Sequence, residues 1–183
     1  MDADRLLRAD RIAIRRLSTR EAEDRNAALS TLLIDCVEGG ASVSFLAPLA
    51  RDKAADFWRK VAAAVARGER CLLVAEDRDD GSLAGTVQLV LDQPENQPHR
   101  ADLAKMLVHP RARRLGLGAA LMQAAEGAAR AAGKTLLVLD TASDEAERLY
   151  ARAGWTRVGV IPGYALLPDG RPCDTTYFYK RLA

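Results

Sequence analysis

Val108-His109-Pro110-Arg111-Ala112-Arg113-Arg114-Leu115-Gly116-Leu117-Gly118-Ala119-Ala120-Leu121-Met122 joins three kinds of local structure. The β-rich run Met106-Leu107-Val108 predicts a strand, the proline and the Arg- and Gly-rich segment a turn, and Leu117, Leu121 and Met122 at helical spacing a helix. A helix start presents unpaired N–H groups and the positive end of the dipole, and glycines let a phosphate approach the backbone. Arg113 and Arg114 add mobile positive charge beside that cradle. The turn is a candidate anion site.

Two common phosphate-binding patterns do not fit it. Gly116-x-Gly118 lacks the third glycine of a dinucleotide fingerprint, and Asp140, at the end of the next strand, is no convincing counterpart of that motif's acidic residue. A Gly-x4-Gly-Lys-Ser/Thr loop is also missing. What remains is Arg113-x-x-Gly116-x-Gly118.

Composition narrows the class. With 183 residues the chain reads as one domain, residues 1–183, long enough to bury a full core. Apolar residues make up 49% and charged residues 28%, as expected of a soluble globular protein. A net charge of +2 argues against a dedicated nucleic-acid binder. No run approaches the ~20 apolar residues of a membrane helix, and the start of the chain is charged where a signal peptide is apolar, so a cytoplasmic location is expected. Cys36, Cys71 and Cys173 are odd in number and widely spaced, and read as reduced packing residues; with two histidines, no metal site is expected.

Read in order, residues 1 to 11 are charged and expected to fray, and Ile12 to Leu17 alternates as a first strand. Ser18-x-x-Glu21 is a capping-box pattern opening one helix through Cys36. Residues 40–49 are small and apolar where a surface loop should be polar, which suggests a short helix entry, a pocket lining, or both. A helix from Arg51 to Arg67 follows, then a hairpin, Cys71 to Glu76 and Leu83 to Leu91, and a central strand, Arg100 to Val108. After the turn come a helix to Ala132 stopped by Gly133, a strand at Leu136 to Leu139, and a helix Glu145 to Ala153 capped by Asp144. Strands at Trp155 to Pro162 and Thr175 to Lys180 complete the chain. The order predicts an α/β fold, a mixed central sheet of about seven strands with helices on both faces.

Two segments carry a family resemblance. Arg113-x-x-Gly116-x-Gly118 resembles the pyrophosphate-binding motif of the GCN5-related N-acetyltransferases (GNAT family). Leu149-Tyr150-Ala151-Arg152-Ala153-Gly154-Trp155 resembles that family's helix ending in a tyrosine, three residues and a glycine-aromatic pair. Gly39-Gly40-Ala41-Ser42-Val43 and Gly163-Tyr164-Ala165 to Pro168-Asp169-Gly170 look like the tabtoxin-resistance acetyltransferases within it. The resemblance implies the GNAT fold, acetyl-coenzyme A as cosubstrate without a metal, and direct transfer of acetyl to the amine of a small molecule, a toxin or antibiotic being one possibility.

It also implies roles. Met106, Leu107, Val108, Arg113, Arg114, Leu115, Gly116, Leu117, Gly118, Ala119 and Tyr150 would hold the cosubstrate, with Leu107 and Val108 N–H groups on the carbonyl oxygen. Tyr150 would protonate the departing thiolate. An alkyl amine near pKa 10.4 is uncharged at pH 7 in only about one molecule in 2,500, a deficit of roughly 4.6 kcal/mol. A base must therefore take its proton, and Asp102 is the first candidate, with Glu76 and Asp140 behind it. Ser42, Phe45, Asp140, Tyr164 and Asp169 are the candidate acceptor residues. Two alternatives stay open, a protein or peptide N-acetyltransferase and a non-catalytic acyl-CoA sensor. The apolar last strands suggest a homodimer.

Overall fold

Strand pairing is organised by two long-range devices, an antiparallel meander at the start of the sheet and a strand inserted near its end. A computed structural model describes residues 11–182; residues 1 to 10, for which fraying was expected, lie outside the described part. The elements are β1 (Ile12–Arg16), α1 (Thr19–Asp24), α2 (Asn26–Glu38), α3 (Arg51–Ala66), β2 (Arg70–Asp77), β3 (Leu83–Val90), β4 (Arg100–Val108), α4 (Leu117–Ala131), β5 (Leu136–Thr141), α5 (Asp144–Arg152), β6 (Thr156–Leu166) and β7 (Pro172–Arg181). They build one mixed seven-stranded sheet in the order β1-β2-β3-β4-β5-β7-β6. All neighbours are antiparallel except β4 and β5.

Helices cover both faces. Leu121, Met122, Ala125 and Ala129 of α4 and Tyr150 of α5 close one core against Val87, Leu89, Leu103, Leu137 and Phe178. On the other face Leu29, Leu33, Trp58 and Val61 of α2 and α3 pack on Leu72, Val74 and Leu107. The period-2 and period-3.6 patterns thus meet from both sides of the same sheet. Among the described residues no helix is long and apolar enough to cross a membrane.

Beyond shifts of a few residues at strand ends, three departures from the sequence expectation have a physical cause on view. The helix opened at Ser18 is two helices, α1 and α2, parted at Arg25. There Arg25 donates a hydrogen bond to Gly81 O at 2.9 Å and Asn26 Nδ2 to Ala55 O at 3.0 Å, so tertiary partners hold the junction. β6 runs on to Leu166, which puts Tyr164 in a strand and not in a connection; Pro162 is tolerated because β6 is the sheet edge. The cap of α5 is Ser143, whose Oγ accepts from Ala146 N at 3.3 Å, with Asp144 already inside the helix.

Candidate active site

The site begins at the C-terminal end of β4. His109 Nδ1 accepts from Arg111 N at 3.1 Å and so caps a short 3-10 turn, Pro110–Ala112. Its other nitrogen, Nε2, therefore carries a proton and donates to Asp35 Oδ2 of α2 at 3.0 Å. Past this turn, Gly116 holds a left-handed φ of 78° as the N-cap of α4 and offers no side-chain cap. The first helical bond runs from Ala120 N to Gly116 O, which leaves the N–H groups of Leu117, Gly118 and Ala119 without intrahelical partners. Exposed Arg113 and Arg114 flank them.

β4 supplies the second wall. It pairs with β5 only at Arg100, Ala101 and Asp102, and then the two strands part. Against β3 the register shifts between Thr86 and Gln88, whose partners are Leu107 and Ala104, so β4 carries a bulge containing Lys105 at φ 51°. Beyond the bulge, alternation fixes which backbone groups are free. His109 N donates to Ala84 O on β3 at 2.9 Å, and a Cβ on Gly85 would meet Leu107 O at 2.7 Å. Leu107 therefore faces β3, and Val108 faces the parted edge, where its carbonyl accepts from Cys36 Sγ at 3.6 Å. Of the two N–H groups expected on a carbonyl oxygen, Val108 has the open orientation and Leu107 does not.

A cavity of about 1020 Å³ joins these walls. Its lining includes Met106, Leu107 and Val108, the turn residues Arg113, Arg114, Gly116, Leu117, Gly118 and Ala119, and Tyr150. The same lining takes in Ser42, Phe45, Asp140 and Tyr164. Residues 40–49 form no helix; 40–46 line the cavity, and Ala41, Val43, Phe45 and Leu49 pack toward the core, which accounts for their apolar composition. Among the described residues no group of three His, Cys, Asp or Glu side chains is gathered to hold a metal.

Electrostatics differentiates the titratable groups. Tyr150 is buried, its ring packed against Trp155 and Phe178 at centroid distances of 5.9 and 5.7 Å. Desolvation, helped by the charge of Asp140, pushes its phenol up to about 12. Asp140 is raised above the ordinary carboxylate value, first by desolvation and also by Asp102, with Lys105 opposing. The Lys105 ammonium is lowered by desolvation, and Asp140 pulls it back. Burial pushes the Cys36 thiol up to about 11, so it stays a neutral packing group.

Several expected site residues lie elsewhere. Asp102 does not line the cavity: its carboxylate is paired with Arg100 and accepts from Gln93 Nε2 at 3.2 Å. Asp169 sits on the exposed β6–β7 turn, bonded to Arg171 Nε at 2.7 Å and to Arg171 N at 3.1 Å, and these bonds hold its carboxyl below the ordinary range. Leu115 is absent from the lining and packs on the α4-side core. Glu76 is bound by Arg15 and Arg25 away from the cavity. Lys105 was not anticipated, because in sequence it is one charged interruption of a strand.

Known proteins share this architecture. The sequence profile of the Acetyltransferase (GNAT) family matches residues 28–155, and the chain belongs to that family. It is 39% identical over 108 residues to an uncharacterized N-acetyltransferase from the hisH-hisA intergenic region of Azospirillum brasilense. That match takes in 58% of this chain and 61% of that protein. The fold is similar to yncA of Salmonella typhimurium, solved with its cofactor acetyl-CoA. The TM-score is 0.75 at 22% identity, over 94% of this chain and 95% of that one. It is also similar to a phosphinothricin acetyltransferase of Sinorhizobium meliloti in complex with AcCoA, with a TM-score of 0.76 at 17% identity over 94% and 89% of the two chains.

Proposed function

We propose that this chain, as one domain over residues 1–183, transfers the acetyl group of acetyl-coenzyme A directly to the amine of a small molecule. The observation that carries this reading is the continuity of one cavity from the uncapped start of α4 to Asp140 and Tyr150. The N–H groups of Leu117, Gly118 and Ala119, with Arg113 and Arg114, suit a pyrophosphate. The open edge of β4 at Met106 and Val108 offers backbone partners to an amide-bearing arm. Acetyl-coenzyme A supplies the activated carbonyl and the thiol leaving group.

The remaining chemistry falls to two side chains. Asp140, its carboxyl raised above the ordinary value and lining the cavity, takes the proton of the acceptor ammonium, while Asp102 acts through its field on Asp140. Tyr150 keeps its proton and donates it toward the leaving thiolate. Full transfer from a phenol at about 12 to a thiol of ordinary pKa near 8.5 is uphill by roughly 5 kcal/mol, so the thiolate must be desolvated by the same apolar walls. Leu149, Ala146 and Ala153 are in position to do this.

The likeness to the tabtoxin-resistance acetyltransferases supports a small toxin- or antibiotic-like acceptor, since Ser42 and Tyr164 from its two characteristic segments both line the cavity. Three free cysteines suit the cytoplasm, and exposed Val158, Val160 and Ile161 on edge strand β6 suit a homodimer. The test is thiol release from acetyl-coenzyme A over a panel of amines, wild type beside Tyr150→Phe. A fall of tenfold or more in kcat, with the cosubstrate Kd within about twofold, is expected. Equal rates for the two proteins would reject the role of Tyr150, and no cosubstrate binding would reject the activity.

A further inference from the structure

Lys105 and Ser44 meet on the wall of the cavity that also holds Asp140, where Lys105 Nζ donates to Ser44 Oγ at 2.9 Å. Both are non-glycine residues in the left-handed region, at φ 51° and 74°. Such backbone persists only where the surroundings over-determine it, and it clusters at ligand sites. In Lys105 the cause is the β4 bulge, which re-aims one side chain out of the strand's alternation.

The ammonium has spare capacity. It has three donors, and the Ser44 hydroxyl is its one hydrogen-bond partner among the described residues. Among the described residues no carboxylate lies within ion-pair distance of it, although Asp140 lines the same cavity and acts on it through space. The other lining cations serve different parts of the wall: Arg113 and Arg114 follow the end of β4, and Arg152 ends α5. The lining therefore presents the Lys105 ammonium and the Asp140 carboxylate not bonded to each other, an arrangement complementary to a molecule carrying both charges; the other lining carboxylate, Glu145, belongs to the first turn of α5.

We propose that Lys105 is a specificity residue that binds a carboxylate on the acceptor, so that the acceptor is an amino acid or a similar zwitterionic amine. Its ammonium turns to Asp140 and its carboxylate to Lys105. The inference rests on the acetyltransferase reading above and adds a required anionic group to the acceptor. Partial burial of Lys105 weakens the solvent screening of such a pair.

The probes are the twenty common α-amino acids, each beside its C-terminal amide. They are measured by thiol release from acetyl-coenzyme A and, with coenzyme A present, by calorimetric binding. At least one acid is expected to exceed its amide tenfold or more in kcat/KM or in affinity, mostly through KM. Lys105→Met abolishes that preference, Lys105→Arg restores part of it, and Ser44→Ala keeps it, with the coenzyme A Kd within about twofold throughout. A wild-type preference below twofold, or one that survives in Lys105→Met, overturns the proposal. So does a panel in which no acid binds or reacts while acetyl-coenzyme A binds normally, an outcome that leaves the acetyltransferase reading intact. Failure of the wild type to bind acetyl-coenzyme A overturns both.

Discussion

Leu149 of α5 leans on the first turn of α4, its Cδ2 standing 3.0 Å from the point that a Cβ on Gly118 would occupy. Two glycines of the same turn are thus needed for different reasons. Gly116 has open space around its missing side chain but holds φ at 78°, whereas Gly118 has helical backbone and no room. Gly116→Ala is expected to cost about 1–2 kcal/mol of stability through backbone conformation. Gly118→Ala instead pushes Leu149, next to Tyr150, and is expected to raise the acetyl-coenzyme A KM severalfold with a smaller stability loss. Urea unfolding beside steady-state kinetics separates the two, and the idea fails if both variants change stability and KM in the same proportion.

Glu126 is a buried carboxylate that ties α4 to the far end of the sheet. It accepts from Trp155 Nε1 at 3.2 Å and from Lys180 Nζ at 2.7 Å, while Lys180 also donates to Ala153 O at 2.7 Å. Removing one member strands the other in a desolvated place. Glu126→Ala is expected to destabilise by about 3 kcal/mol, whereas the double change Glu126→Met with Lys180→Met loses far less. Chemical denaturation of the single and double variants checks this, and additive losses would contradict it.

Acid sensitivity of the first helix follows from its capping box. Ser18 N and Oγ donate to Glu21 Oε2 at 2.8 and 2.7 Å, and Arg15 Nη1 to Glu21 Oε1 at 2.5 Å, which together hold the Glu21 carboxyl at about 2. A depressed folded-state pKa gives stability that is present above the unfolded value and lost as pH falls through the folded one. The stability difference between wild type and Glu21→Gln should therefore be constant above about pH 5 and shrink between about pH 4.5 and 2. A difference that does not change with pH would remove Glu21 from this role.

What could be read in advance was what local chemistry decides. The Arg113-x-x-Gly116-x-Gly118 turn is legible because glycines just before an apolar periodic segment are a local signal, and the order of helices and strands along the chain follows from alternating periods. Asp169 is held out of the cavity lining by a partner close in sequence: Arg171, two residues on, claims the carboxylate at the hairpin turn. Asp102 and Arg100 are a similar pair, side by side on β4 before it leaves β5. Lys105 was hidden for another reason. Its backbone and direction come from the β3–β4 register shift, which no pattern within β4 announces. The break at Arg25 likewise depends on Gly81, 56 residues away.

Asp140 and Tyr150 give the reaction a directional pH dependence. Desolvation holds the Asp140 carboxyl above its ordinary value, so, as the pH falls, it becomes protonated and unable to accept a proton earlier than an exposed aspartate does. The acid limb of kcat/KM is therefore expected above the usual carboxylate value of about 3.9. Asp140→Asn should lower kcat/KM by about 10²-fold or more, remove that limb, and leave acetyl-coenzyme A affinity within about twofold. Tyr150, at about 12, remains a proton donor across the neutral range, so an alkaline limb below about pH 10 must belong to another group and should persist in Tyr150→Phe. In Lys105→Met the acid limb should move up, because the ammonium that favours ionised Asp140 is gone. Rate profiles of the wild type and the three variants, taken under subsaturating acceptor, read all of these shifts. A limb that stays fixed in both Asp140→Asn and Lys105→Met would assign the base to a different carboxylate.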